Sequence, residues 1–137
     1  VVEPEQSALA EAAPWIEQAY SGVTVEQILD SLDELGADIP AAAEAAATLR
    51  TKSPTSLKLA LRSVRSAAEL SLEGALIQEH TLGVHALRSH DFREGIRAQL
   101  VDKDRDPQWH PATLDQVDED LIDRYFAPVP GRLLSFA

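Results

Sequence analysis

Ser89 to Pro111 reads SHDFREGIRAQLVDKDRDPQWHP, and its punctuation decides how the rest of the chain is read. Asp91 followed three residues later by Glu94 has the spacing of a capping box, in which a short polar side chain caps a helix and the acid reaches back to it. Ile96, Ala98, Leu100 and Val101 follow as the helix's apolar, core-directed positions. The segment then turns polar through Asp102-Lys103-Asp104-Arg105-Asp106, and Pro107 ends any helix that extends so far. Trp109 and His110 come next, closed by Pro111. The expectation is a short helix that delivers two cations and a tryptophan to a proline-bounded loop.

Helix signals continue on both sides of this stretch. Pro14 suits the first turn of a helix carrying Trp15, Ile16, Ala19 and Tyr20, stopped by Ser21-Gly22. Ser7 offers a cap for one or two earlier turns, and residues 1–13, with Pro4, read as a tether. Thr24 and Gln27 form a second capping box, and Val25, Ile28, Leu29 and Leu32 keep the i, i+3, i+4, i+7 spacing of an amphipathic helix ending at Leu35-Gly36. Ala41 to Arg50 is an alanine-rich helix beginning near Pro40. It buries little area by itself and needs neighbours on both sides.

Ser53-Pro54 then places a cap and an N1 proline before a helix with Leu57, Ala60, Leu61 and Val64 as its core stripe. Ser71 opens a longer helix reaching toward Arg88, with Leu72, Ala75, Leu76, Leu82, Ala86 and Leu87 in helical repeat. Glu79 lies near that apolar face, and a buried carboxylate must pair, so Arg97 is its expected partner. Thr113 to Gln116 makes one turn, and Asp118, Glu119 and Asp120 open a last helix, where acids oppose the positive end of the dipole. Residues 127–137, with two prolines and a glycine, read as a tail whose Leu133, Leu134 and Phe136 are free to dock on a partner.

The fold class expected from this pattern is all-α, arranged as a tether at 1–13, a helical module at 14–126 and a tail at 127–137. The 137 residues fit one domain, and their apolar content is largely alanine, which argues against a β-sandwich or barrel. With no cysteine there is no disulfide, thiolate nucleophile or Cys-based metal site.

Charge and composition narrow the function further. The net charge of -11 is uneven: residues 1–49 hold ten acids and no Lys or Arg, residues 50–105 seven acids and ten bases, and residues 106–137 six acids and two bases. So acidic a chain is not expected to bind nucleic acid, and any anion would bind in the middle segment. There the solvated helix face of Arg50, Lys52, Lys58, Arg62 and Arg65 is the simplest reading. His80, His85 and His90 fall five residues apart and so do not line one helix face, which leaves no expected metal site. No apolar run is long enough to span a bilayer, and no signal peptide is visible, so a cytoplasmic location is expected. The chain opens at Val1 rather than Met, as expected of a piece of a longer protein or of a chain that has lost its initiator Met.

Asp91-Phe92-x-Glu94-Gly95-x-Arg97-Ala98, then Asp102-Lys103-Asp104, then Pro107-x-Trp109-x-Pro111, together resemble the C-terminal signature of the crotonase (enoyl-CoA hydratase/isomerase) superfamily. The likeness is greatest to its 3-hydroxyisobutyryl-CoA hydrolase branch. It extends upstream through Ser53-Pro54-Thr55-Ser56-Leu57-Lys58 and downstream to Asp123-Arg124-Tyr125-Phe126, or roughly Trp15 to Phe126.

The resemblance implies the helical C-terminal portion of a crotonase-fold enzyme, with the αβ spiral body, its oxyanion-stabilising N–H pair and its acid/base carboxylates outside this sequence. It implies hydrolysis of an acyl-CoA thioester in valine breakdown, with these helices covering the acyl pocket and making subunit contacts, and with this chain alone inactive. The crotonase body of the same protein and further copies are the implied partners. Coenzyme A enters only as part of the substrate, with no separate cofactor.

By the same resemblance Lys103 matches a lysine near the CoA nucleotide. Arg105 and Trp109 are its candidate companions, one as a second cation and the other stacking on adenine. Asp102, Asp104 and Asp106 are placed to neutralise the two cations, and the competing reading of the loop is structural, with Trp109 anchored against the body. Two other functions stay open: part of an enoyl-CoA hydratase or isomerase, and a helical interaction module without catalysis.

Overall fold

Short-range capping chemistry sets where most helices begin. In the computed structural model, which describes residues 7–136, Ser7, Thr24, Ser53, Ser71, Ser89 and Asp118 each accept a backbone N–H at a helix start. The described residues form seven α-helices and no strand, an all-α architecture. Most of the tether assignment, Pro4 included, falls on residues 1–6, outside the described residues. The helices gather into two compact units divided at Lys52 and Ser53.

The first unit holds α1 (Ala8–Ala19), α2 (Val25–Gly36) and α3 (Pro40–Arg50). α1 begins at the Ser7 cap and runs straight through Pro14, so the expectation of a new helix at Pro14 is corrected. Proline costs a helix the bond to residue i−4, here Ala10, which is exposed where water can take the place of the lost donor. Thr24 and Gln27 form the anticipated capping box, with Gln27 N–H donating to Thr24 Oγ1 at 3.2 Å and Thr24 N–H to Gln27 Oε1 at 3.3 Å. Val25, Ile28, Leu29 and Leu32 are all buried, together with Ala19 of α1 and Ala42 and Ala46 of α3. A methyl at Gly36 would lie 3.0 Å from the Ala43 Cβ, so the end of α2 and the alanine-rich α3 meet at nearly backbone distance. Arg50 returns from α3 to grip Asp33 of α2 with two bonds of 2.9 and 2.5 Å.

The second unit holds α4 (Pro54–Ala67), α5 (Leu72–Ala86), α6 (His90–Ile96) and α7 (Glu119–Phe126), with a π-turn at Arg97–Val101 and a 3₁₀ turn at Leu114–Gln116. Its contacts are more polar than the sequence suggests. Val64 is 74% exposed, and the residues of α4 that are buried are Pro54, Thr55 and Ser63. Ser63 Oγ donates to Glu79 Oε1 at 2.5 Å, while Gln78 Nε2 donates to Ser63 Oγ at 3.1 Å and Ser66 Oγ to Gln78 Oε1 at 2.8 Å. Glu79 therefore pairs with Ser63 and not with Arg97, because helix packing brings α4 beside it.

The bases of α4 are also engaged rather than simply solvated. Lys58 Nζ donates to the Val117 carbonyl at 3.1 Å, and Arg62 binds Asp123 at 2.5 Å while its guanidinium lies 4.3 Å from the centre of the Phe126 ring. The segment after α7 lies along α5: Val129 is buried, His85 Nε2 bonds the Ala127 carbonyl and His80 Nε2 the Arg132 carbonyl, both at 2.9 Å. Two histidines five residues apart thus hold successive points of one crossing strand of chain.

Candidate functional site: the loop after α6

The candidate site is built on α6 and the residues that leave it. Ser89 is the cap, its Oγ accepting Phe92 N–H at 3.1 Å, which corrects the expected Asp91–Glu94 capping box. Asp91 enters the first turn of the helix instead and is buried, at 8% exposure. Its Oδ2 accepts the Ser53 hydroxyl, and its Oδ1 accepts His110 N–H at 2.8 Å and lies 3.1 Å from His90 Nδ1. One carboxylate thus joins the start of α4, the start of α6 and the far end of the loop.

After Ile96 the backbone widens into the π-turn, closed by Asp102 N–H donating to the Arg97 carbonyl at 2.8 Å. π-turns add a residue to a helical turn and shift the side chains that follow. Ala98 is buried, but Ile96, Leu100 and Val101 are exposed at 38%, 68% and 69%, so the expected core contacts reduce to Ala98.

Arg97 is the centre of the loop. Its guanidinium binds Glu94 through two bonds of 2.8 and 2.9 Å, Asp102 at 2.7 Å, Asp104 at 2.5 Å and the Asp106 carbonyl at 3.1 Å. Glu94 Oε1 also accepts Gln108 N–H at 2.7 Å. The Arg97 bonds, seconded by that backbone N–H, hold the Glu94 carboxyl down to about 2. Arg97 likewise lowers Asp104, with help from the Asp106 N–H, and its own guanidinium is raised by Glu94, Asp104 and Asp102 in that order. A charge-assisted fork of this kind is the strong form of protein hydrogen bond.

The three residues proposed from sequence fall on this loop in different settings. Lys103 and Arg105 both have φ of +57°, the left-handed region that L-residues seldom occupy, and both are exposed. Neither side chain forms an ion pair with another described residue. The expectation that the neighbouring acids neutralise them is thus corrected for Asp102 and Asp104, which are bound to Arg97. Trp109 is half-buried, and a methyl at Gly95 would lie 3.5 Å from its Cη2, so the indole is seated against the glycine of α6.

Among the described residues no group of three His, Asp or Glu side chains is arranged to hold a metal. Sequence reasoning missed Arg97 as the organiser. The available signal was Glu94 three residues before it, a spacing that sets the two side chains side by side on a helix.

A family model described as enoyl-CoA hydratase/isomerase matches residues 1–126, and the chain belongs to that family. The frog (Xenopus laevis) mitochondrial 3-hydroxyisobutyryl-CoA hydrolase is 40% identical over 90% of this chain and 32% of its own length. The cattle (Bos taurus) enzyme of the same name is 42% identical over 85% of this chain and 30% of its own length. A solved carnitinyl-CoA dehydratase from Mycobacterium thermoresistibile is 48% identical, with a TM-score of 0.87, over 97% of this chain and 38% of that one. An enoyl-CoA hydratase from Rhodobacter sphaeroides 2.4.1 is 30% identical, with a TM-score of 0.82, over 99% of this chain and 41% of that one. The chain spans about a third of the length of the curated relatives it matches and corresponds to their C-terminal part.

Proposed function

We propose that this chain is the C-terminal helical part of an acyl-CoA thioester hydrolase that releases CoA from 3-hydroxyisobutyryl-CoA in valine breakdown. In this reading the rest of the protein supplies the crotonase body, where backbone N–H groups stabilise the thioester oxyanion and carboxylates direct water. This chain covers the acyl pocket, contributes to the CoA end and makes contacts between subunits. Lys103 and Arg105 meet CoA phosphates as point and forked charges, and Trp109 offers a face to adenine.

The observation that carries the reading is the identity of about 40% to hydrolases of that name across nearly the whole of this chain. The exposed Lys103 and Arg105, with Asp102 and Asp104 bound to Arg97, give it a chemical footing. The exposed apolar residues Leu72, Leu87, Leu100 and Val101 suit a body and further copies that cover them. No described helix is long and apolar enough to cross a membrane, and the acidic balance does not favour nucleic acid. A cytoplasmic location belongs to the same reading, and fractionation of cells tests it: recovery in mitochondria, the compartment in the animal relatives' names, would overturn it.

The test of the reaction is CoA release from 3-hydroxyisobutyryl-CoA by the full-length protein, with no release by residues 1–137 alone. A full-length protein that releases no CoA but adds water across an enoyl-CoA double bond would replace this reading with a second one. That alternative, part of an enoyl-CoA hydratase or isomerase, is favoured by the 48% identity to a carnitinyl-CoA dehydratase. Absence of both activities would leave the non-catalytic interaction module.

A further inference from the structure

We propose that Arg97 is a positioning residue for CoA recognition, acting by withdrawing Asp102 and Asp104 from the two cations between and beside them. This rests on the CoA-binding role of Lys103 and Arg105 proposed above. The loop alternates acid and base from Asp102 to Asp106, a pattern that in a flexible segment lets each cation settle on its neighbour. Here the alternation is resolved: Asp102 and Asp104 bind Arg97 at 2.7 and 2.5 Å, while the intervening Lys103 and the following Arg105 stay exposed.

Three further features hold that arrangement. Glu94, at 12% side-chain exposure, fixes the other side of the guanidinium at 2.8 Å. Asp104 Oδ1 accepts the Asp106 N–H at 3.0 Å, which pins the carboxylate between the two left-handed residues. The Asp106 carbonyl accepts from Arg97 at 3.1 Å, and Gln108 N–H donates to Glu94, so the chain is held beyond both cations as well. Left-handed backbone at Lys103 and Arg105 is unfavourable for residues with a Cβ and persists where surrounding bonds impose it. Arg97 makes most of those bonds.

The electrostatic consequence is specific. Without Arg97, two carboxylates are released within one residue of Lys103 and Arg105 and compete with an incoming phosphate. The group loses one positive charge, and the two existing carboxylates lose the partner that fixed them.

The test measures CoA affinity of the full-length protein by calorimetry at low and high salt, with kcat and KM for its thioester substrate. Arg97→Gln is expected to weaken CoA binding about tenfold at low salt, raising KM and leaving kcat unchanged. The triple variant R97Q/D102N/D104N is expected to regain affinity to within about twofold of wild type, since the two carboxylates that Arg97 held can no longer capture the cations. A role confined to ordering the loop gives no such recovery, so failure of the triple variant to rescue overturns the proposal. Should Arg97→Gln not fold, D102N/D104N with Arg97 intact decides: binding as tight as wild type or tighter supports the proposal, and a tenfold loss overturns it. K103Q/R105Q separates the layers. If it leaves CoA affinity unchanged, the CoA reading of the loop fails and this inference with it. If it weakens CoA while Arg97→Gln does not, Arg97 alone has been misassigned.

Discussion

α2 carries a sharply one-sided apolar stripe and α5 a diffuse one, and the two end in opposite situations. In α2, Val25, Ile28, Leu29 and Leu32 are 5%, 4%, 8% and 0% exposed, closed in by α1 and α3. In α5 no residue is buried: Leu72 is 73% exposed and Leu76 44%. The contact of α5 with α4 runs instead through Ser63, Ser66, Gln78 and Glu79, and its contact with the chain after α7 includes His80 and His85. An apolar repeat specifies which face of a helix seeks cover. What covers it depends on elements elsewhere in the protein, and for α5 the proposed crotonase body is that element.

The largest expected effect tests this difference directly. Leu32→Ala removes a fully buried side chain and should destabilise the first unit by about 3 kcal/mol, read as a lowered midpoint in urea. Leu76→Ala removes a side chain already partly in water and should cost under about 1 kcal/mol in residues 1–137, but several times more in the full-length protein. Equal small losses in both settings would show that nothing covers the exposed stripe of α5. A large loss in the short chain would break the contrast from the other side.

A second comparison lies between the apolar centre of the first unit and the polar node of the second. Asp91 receives the Ser53 hydroxyl and the His110 N–H, and Ser53 is itself only 4% exposed. Removing the carboxylate leaves the buried Ser53 hydroxyl without its acceptor, which costs more than the bond itself contributed. Asp91→Ala should lower stability of the second unit by about 2 kcal/mol, with faster amide exchange at His110. Asp91→Asn, which retains an acceptor for His110, should lose less. A neutral Asp91→Ala would mean that apolar contacts hold this unit after all.

How far the sequence discloses the molecule follows the same division. Caps at Ser7, Thr24, Ser53, Ser71 and Asp118 were legible because a cap involves residues two or three apart, and the α2 stripe because its cover comes from its immediate neighbours in the chain. The continuation of α1 through Pro14 was not, because tolerance of that proline depends on the exposure of Ala10. The partner of Glu79 was not legible either, because Ser63 reaches it only when α4 and α5 pack. Nor was the role of Asp91, which a local pattern presents as a cap and a residue 38 positions away recruits as a buried acceptor. At the loop, Lys103, Arg105 and Trp109 came from a resemblance, but the fate of the acids between them rests on a π-turn that nothing in the local spacing announces.

The smallest effect expected is a pH dependence, and it should separate the two units. Glu94 is held near about 2 by Arg97 and the Gln108 N–H, below the ordinary value of 4.5. For an acid whose folded value is depressed, the stabilisation is complete above the unfolded value and is lost as pH falls through the folded one. Lowering pH from about 4.5 to about 2 should therefore release the segment from Glu94 to Gln108, seen as rising amide exchange at Gln108. The amides of α2 should stay protected over the same range. Arg50 also lowers Asp33 beside α2, chiefly by hydrogen bonding, but that pair is about half exposed, and exposed pairs contribute little. Arg97→Gln should move the Glu94 transition up toward 4.5, and a Gln108 amide indifferent to both acid and that substitution would show that the fork on Arg97 does not order the loop.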